Sequence, residues 1–194
     1  MDTFTVPVVT PPLTMTTPRL ILRQWQESDF GPFAAMNADP QVMEFFPSVL
    51  TREKSDDMAM RCRDLIAERG WGIWAVALRE TGEFIGFVGL HTPGYDLPFT
   101  PCIEIGWRLR ADTWGKGYCS EAARAALDAG FNVLGLKEIV AFTALPNLRS
   151  QAVMKKMGMV CDPTENFKHP AVAAGDWLEE HCLYRLSKGA WKAT

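Results

Sequence analysis

In the stretch WGKGYCSEAA, residues 114–123, two glycines separated by one lysine lead straight into a row of small side chains. Between a strand and a helix, such a turn lets backbone N–H groups converge. The helix start adds about half a positive charge and several unsatisfied donors, a setting that favours a phosphate. Glycine lets the phosphate come close, because no side chain stands in the way. Two familiar phosphate loops do not fit. A P-loop needs GxxxxGK followed by Ser or Thr, whereas Lys116 lies between the glycines and Tyr118 follows them; a dinucleotide fingerprint needs a third glycine where Ser120 stands. At this level a plain strand-to-helix glycine turn remains the competing account.

Other residues could carry a reaction beside that turn. Glu104 lies on the polar face of CIEIGWRL (102–109), next to Gly106, whose missing side chain leaves room for a substrate. A carboxylate there can take a proton directly or through water, or it can be a strand glutamate paired with an arginine. Asn147 and Ser150, three residues apart, fall near one face of a helix's first turn; Asn147 suits a cap, and Ser150 is either functional or a neutral helix residue. Cys119, near a helix N-terminus, is a rival nucleophile that would accept a group covalently, unless it is a small side chain packed in the turn. Lys116 either adds charge to the turn or is a solvated lysine. His91 and His169 are placed in loops, where they border a substrate or are simply exposed. Trp71, Trp74 and Trp107 are read as core.

The elements that must position these groups follow from periodicity. Arg19–Trp25 reads as a first strand, Phe30–Ala38 as a helix capped by Ser28 or Asp29, and Thr51–Arg69 as a second helix. Trp71–Arg79 and Glu83–Leu90 flank a Thr81-Gly82 turn and predict a hairpin. A Pro/Gly-rich loop, 91–101, then leads to the strand ending at Leu109, in which Ile103, Ile105, Trp107 and Leu109 share one face and Cys102, Glu104, Gly106 and Arg108 the other. Ala122, Ala123, Ala126, Leu127, Gly130, Phe131 and Leu134 form the apolar stripe of the helix after the glycines. Glu138–Thr143 is a strand reached through that helix, hence a parallel neighbour of the strand before it. A helix begins at Asn147 and stops at Gly158, and MVC and HCLYRL give two more short strands. The fold class is α+β, a mixed sheet with flanking helices.

Composition sets the outer bounds. At 194 residues one domain is expected over 18–194, preceded by a loosely ordered Pro/Thr-rich extension, 1–17. With 47% apolar residues, 22% charged residues and a net charge of −3, no broad electrostatic field recommends nucleic acid as a partner. No apolar run approaches membrane-spanning length, and no secretory signal opens the chain. The five cysteines (Cys62, Cys102, Cys119, Cys161, Cys182) show no metal-site spacing and read as reduced thiols of a cytoplasmic protein.

EIGWRLRADTWGKGYCSEAARAAL resembles the acetyl-CoA-binding motif of the GNAT superfamily of N-acyltransferases, in its ribosomal-protein N-terminal acetyltransferase-like (RimJ/RimL-like) branch. NLRSQAVMKKMGM is similar to that family's second motif, and TPRLILR and HCLYRL also fit, so the resemblance spans roughly 17–187. It implies a mostly antiparallel central sheet with a splayed parallel strand pair. The coenzyme's pantetheine arm would enter the splay against Leu109 and Arg110, and its pyrophosphate would rest on Trp114, Gly115, Lys116, Gly117, Tyr118, Cys119 and Ser120, with Asn147 and Ser150 alongside. It favours Glu104 as the base and sets Ser150 near the coenzyme sulfur, to stabilise or protonate the thiolate. Asp112 departs from the pattern, which often has Gln or Arg there, and Met154 takes the place where a tyrosine often acts as acid. The implied activity is direct transfer of acetyl from acetyl-CoA to a primary amine (a protein or peptide N-terminus, an amino acid or a small amine) without a metal, in a chain compatible with a homodimer. A non-catalytic acyl-CoA-binding or sensing module is the alternative.

Overall fold

The computed structural model describes residues 7–192. Its nine strands are β1 (Met15–Thr16), β2 (Leu20–Arg23), β3 (Ile73–Leu78), β4 (Phe84–His91), β5 (Glu104–Leu109), β6 (Glu138–Ala144), β7 (Val160–Cys161), β8 (Phe167–Lys168) and β9 (Glu180–Ser187). The four helices are α1 (Glu27–Ala38), α2 (Arg52–Arg69), α3 (Tyr118–Asp128) and α4 (Leu148–Lys156). The strands form one sheet in the order β1-β2-β3-β4-β5-β6-β9-β7, with β8 also on β9. Every pairing is antiparallel except β5 with β6. The mixed, mostly antiparallel sheet with a parallel pair is the expected GNAT-like fold class.

Local signals account for the helix ends. Thr51 Oγ1 accepts from Lys54 N (3.3 Å) to start α2, and Gly70 stops it with a left-handed φ of 84°. At α1 the expected cap is displaced. Gln26 is the cap residue, and Asp29, three positions on, reaches back to accept from Gln26 N (2.9 Å) while gripping the Arg23 guanidinium (2.7 and 2.9 Å). A buried carboxylate needs such partners, and Arg23 and the backbone together supply them.

Hydrophobic burial then stacks the layers. Ala122, Ala123, Ala126 and Leu127 on α3 are fully buried, and this stripe of small side chains lets the helix lie close to the β4–β5 part of the sheet. Helices α1 and α2 pack on each other and on β3 and β4. Trp71 and Trp74 are fully buried core residues, as their apolar surroundings in the sequence suggested. Among the described residues, the stretch expected to be a loose extension is instead tied down. Trp71 Nε1 donates to Pro7 O (2.9 Å), Trp74 Nε1 to Leu13 O (3.0 Å) and Val9 N to Arg69 O (2.9 Å), and β1 pairs with β2. A buried indole N–H must find an acceptor, and the Pro/Thr-rich segment supplies it. Residues 1–6 of the expected extension lie outside the described residues. A second, smaller core of Leu97, Cys102, Val140, Phe167 and Leu183 holds the 92–103 loop and β8 against β6 and β9.

Candidate active site

The parallel pair is splayed. β5 meets β6 at one register position, Glu104 opposite Val140, where Val140 N donates to Ile103 O (2.9 Å). Over the same length β5 stays paired with β4, and Arg110 N still donates to Ile85 O (2.9 Å) beyond its end. Backbone groups alternate in direction along a strand, so those of Ile105, Trp107 and Leu109 turn toward β6. The indole of Trp114 folds back to donate to Leu109 O (2.9 Å). Past the Glu104–Val140 bridge, the N–H and C=O of Trp107 therefore face a gap that widens toward the C-terminal ends of both strands, where open sheets bind ligands.

The glycine turn stands at the head of that gap. Gly115 and Gly117 have φ of 73° and 81°, a left-handed conformation that glycine takes without strain, and Gly117 caps α3. The N–H groups of Tyr118, Cys119 and Ser120 precede the first helical bond, from Glu121 N to Gly117 O (3.1 Å), and need a partner from elsewhere. A Cβ at Gly115 would touch nothing within 4 Å, so the turn is open on that side. These features fit a pyrophosphate. Lys116 is exposed beside them, Ser120 is buried, and Tyr118 and Cys119 are half-buried at the helix start.

Sequence reasoning did not find what holds the turn in place. Arg19 donates to Lys116 O (2.9 Å), lies over the Tyr118 ring (4.6 Å) and pairs with Glu121 (2.6 Å). Glu121 also accepts from Thr17 Oγ1 (2.6 Å) and Arg19 N (2.9 Å). The TPRL segment thus clamps the α3 N-terminus from about 100 residues away, a contact without local signal. Arg110 spends its side chain on Asp112 and Glu83, leaving only its backbone for a ligand, and the same pairing neutralises Asp112.

Glu104 and His91 form the reactive corner. His91 was assigned to a loop; it is instead the last residue of β4, directly opposite Glu104, with Nε2 3.2 Å from Oε2. The apolar run of EFIGFVGL simply continues one residue further, to His91. Burial disfavours charge on both partners. It lowers the imidazole to about 4 and raises the Glu104 carboxyl well above the usual carboxylate range. Burial therefore favours the uncharged form of each side chain, and the two stand in close polar contact. His91 Nδ1 is buried without a partner among the described residues. Gly106, next on this face, leaves the space beside the pair open: a Cβ there would approach only His91 Cε1, at 3.7 Å.

On the opposite side of the gap, Asn147 caps α4 by accepting from Ser150 N (3.1 Å) and is itself fixed by donating to Thr143 Oγ1 (2.9 Å). Ser150 is half-buried, and its hydroxyl makes no hydrogen bond among the described residues. Arg149, its neighbour, reaches across to Glu44 and covers Trp114 (4.6 Å), so α4, the glycine turn and the loop after α1 meet there. Met154 is buried in the core. Cys119 loses its standing as a nucleophile, because burial pushes its thiol up to about 12 and leaves negligible thiolate. His169 lies in an aromatic cluster with His181 (4.8 Å), Tyr95 (4.9 Å) and Phe142 (5.9 Å). Among the described residues, no helix is long and apolar enough to cross a membrane.

Comparison with known proteins agrees with this architecture. Residues 19–160 match the family model described as an acetyltransferase (GNAT) domain. An uncharacterized N-acetyltransferase of Bacillus subtilis, YnaD, is 31% identical over 179 residues, covering 91% of this chain and 98% of the relative. Among solved structures, a GNAT-family acetyltransferase from Bacillus anthracis superimposes with a TM-score of 0.76 at 25% identity, over 91% of this chain and 99% of that one. A RimL ribosomal L7/L12 alpha-N-protein acetyltransferase in complex with coenzyme A has a TM-score of 0.71 at 16% identity, covering 90% of this chain and 98% of its own. That last likeness concerns the fold.

Proposed function

Because the chain belongs to the GNAT acetyltransferase family, we propose that it transfers acetyl from acetyl-CoA directly to a primary amine, within a ternary complex, in the RimJ/RimL-like branch of the family. The observation that carries the reading is the splay of β5 from β6 below a left-handed glycine turn, with a buried carboxyl at its closed end. The branch assignment rests on the α4 motif, with Ser150 present and Met154 in place of a tyrosine. Five free cysteines accord with a cytoplasmic location.

Acetyl-CoA, as co-substrate, supplies the activated acetyl group. Trp107 offers strand-like backbone bonds to the pantetheine arm, and Leu109 and Arg110 line its path. The N–H groups of Gly117 to Ser120 receive the pyrophosphate, with Lys116 adding charge at the rim. Glu104 takes the proton of the incoming amine, directly or through water, and burial raises the proton affinity of its carboxylate. His91 Nε2, 3.2 Å from Oε2, orients that carboxylate. Ser150, its hydroxyl uncommitted, donates toward the leaving sulfur.

A binding-only module would need the donor turn but not a proton-holding pair on the acceptor face, and Glu104 with His91 favours transfer. The test is thiol release from acetyl-CoA across amine classes: peptides with free N-termini, amino acids, polyamines and aminoglycosides. Release with at least one class supports the reading. Binding of acetyl-CoA with no release from any class returns the chain to a sensing role.

A further inference from the structure

The polar face of β5 continues past Gly106 to Arg108, and this arginine is unusual in its surroundings. It is 8% exposed, yet no carboxylate pairs with it among the described residues. Its protein partners are the Asn37 side-chain oxygen, reached through Nη1, and the rings of Phe46 (4.1 Å) and Phe87 (5.4 Å). Asn37 is itself fixed by donating to Ser55 Oγ (2.9 Å). Nε is buried without any hydrogen-bond partner, and Nη2 makes none among the described residues. Arg23 and Arg185, also on the sheet, are both matched by carboxylates. Burying a guanidinium without a counter-anion is costly, and its planar fork suits a carboxylate.

The space for such an anion is present. Arg108 forms part of the wall of a cavity of about 410 Å³ between the loop after α1 and α2, which Lys54 and Arg61 also line, with Asp57 as the lone acid. Three cations converge on one cavity, and one of them is held rigid by Asn37 and two rings. We propose that this cavity is the anion subsite of the acceptor, so that the accepted amine carries a carboxylate at some distance from its nitrogen. The proposal rests on the transferase reading, with the amine meeting Glu104. Arg108 stands four residues along the same face, about 13 Å at the strand repeat, and Gly106 between them carries no side chain. A simple α-amino acid, whose amine and carboxylate sit on one carbon, is too short to reach both. A peptide with an acidic side chain near its N-terminus, or an ω-amino acid, is long enough.

The full chain, with coenzyme A present, is titrated calorimetrically with 6-aminohexanoate, hexylamine and glycine. A hydrogen-bonded charge supports about a 10- to 100-fold preference for 6-aminohexanoate over hexylamine, and glycine gains nothing from its carboxylate. In Arg108→Gln the preference disappears, and in Arg108→Lys part of it remains. Lys54→Gln, on the exposed face of α2, lowers it several-fold without disturbing the core and serves if the Arg108 variants do not fold. Equal binding of the two long amines, binding of neither, or a preference that survives in both Arg108→Gln and Lys54→Gln overturns the proposal. Failure of the transferase reading is separate: it appears as no thiol release from acetyl-CoA with any amine, whatever the binding experiment returns.

Discussion

Replacing Glu104 by Gln tests the reactive corner most directly. The substitution keeps the size of the side chain and a polar contact to His91 Nε2 but removes the proton acceptor. β5 offers no second carboxylate on that face, since Gly106 and Arg108 follow. A positioned general base contributes about 10²- to 10⁴-fold, or roughly 2.7–5.4 kcal/mol of barrier. Turnover by Glu104→Gln should fall within that range, while the Kd for acetyl-CoA, measured by calorimetry, stays put because the glycine turn is untouched. The pH profile carries a second signature. Wild-type kcat/KM should climb through the raised Glu104 value and level off, and the variant should lack that limb. Stability supplies a third, independent of catalysis. Glu104 holds its proton more tightly when folded than at the unfolded value of about 4.3, so its contribution is complete below that pH. It is lost as pH rises through the folded value. Gln has no such loss, so the Tm of Glu104→Gln should gain on wild type between pH 5 and pH 8. For a chain of this length, each kcal/mol corresponds to about 2–4 °C. His91, lowered to about 4 chiefly by burial, acts in the opposite direction and is present in both proteins. Turnover within threefold of wild type would refute the base. A Tm gap that does not widen with pH would refute the account of the buried carboxyl.

Gly115→Ala probes the donor turn: at φ 73° it carries strain of about 1–2 kcal/mol, but its Cβ meets no protein atom within 4 Å. Calorimetry should show acetyl-CoA affinity falling by more than the accompanying change in Tm accounts for, and an unaltered Kd would mean no phosphate approaches there. Ser150→Ala should lower kcat about tenfold or more with little change in coenzyme affinity; an equal loss in both would make Ser150 a cap residue only. For Cys119, intact-protein mass spectrometry after mixing with acetyl-CoA should show no acetylated enzyme, as a thiol held at about 12 dictates. A stable adduct of one acetyl group at this residue would reinstate the covalent route.

How much of this was legible beforehand depended on the range of the interactions. The small-residue stripe of α3 and the Asn147 cap are encoded within a few residues, and the structure keeps both; β5 forms as a strand, but Trp107, read as core, is half-buried while Glu104 and Arg108 on the polar face are buried. The α1 start differed because Asp29 bonds backward to Gln26 and Arg23, a choice settled by burial rather than by cap preference. Longer-range features left no local trace. Nothing in PVVTPPL says that two tryptophans some 60 residues on will need its carbonyls, and nothing in RLILR announces that Arg19 will brace the glycine turn. His91 fell between the two classes. It directly follows an apolar strand run, but its opposition to Glu104 depends on the β4–β5 register, which the 92–103 loop hides from the sequence.

A single strand reconciles these pieces, because β5 presents three different surfaces. The side chains of Ile105 and Leu109 are buried in the main core, on the face that α3 covers, and so fix the strand under the glycine turn. Its backbone edge, released from β6 after Glu104, faces the gap in which the donor is proposed to lie. On the other face, Glu104, Gly106 and Arg108 run from a proton-holding pair, through open space, to an uncompensated guanidinium. A strand paired on both edges would have no free edge for a donor, and one with apolar residues on both faces would have no acceptor site. Restoring continuous β5–β6 pairing would therefore abolish donor binding while leaving the polar face intact, whereas changes at Arg108 should alter which amine is accepted and leave the donor in place.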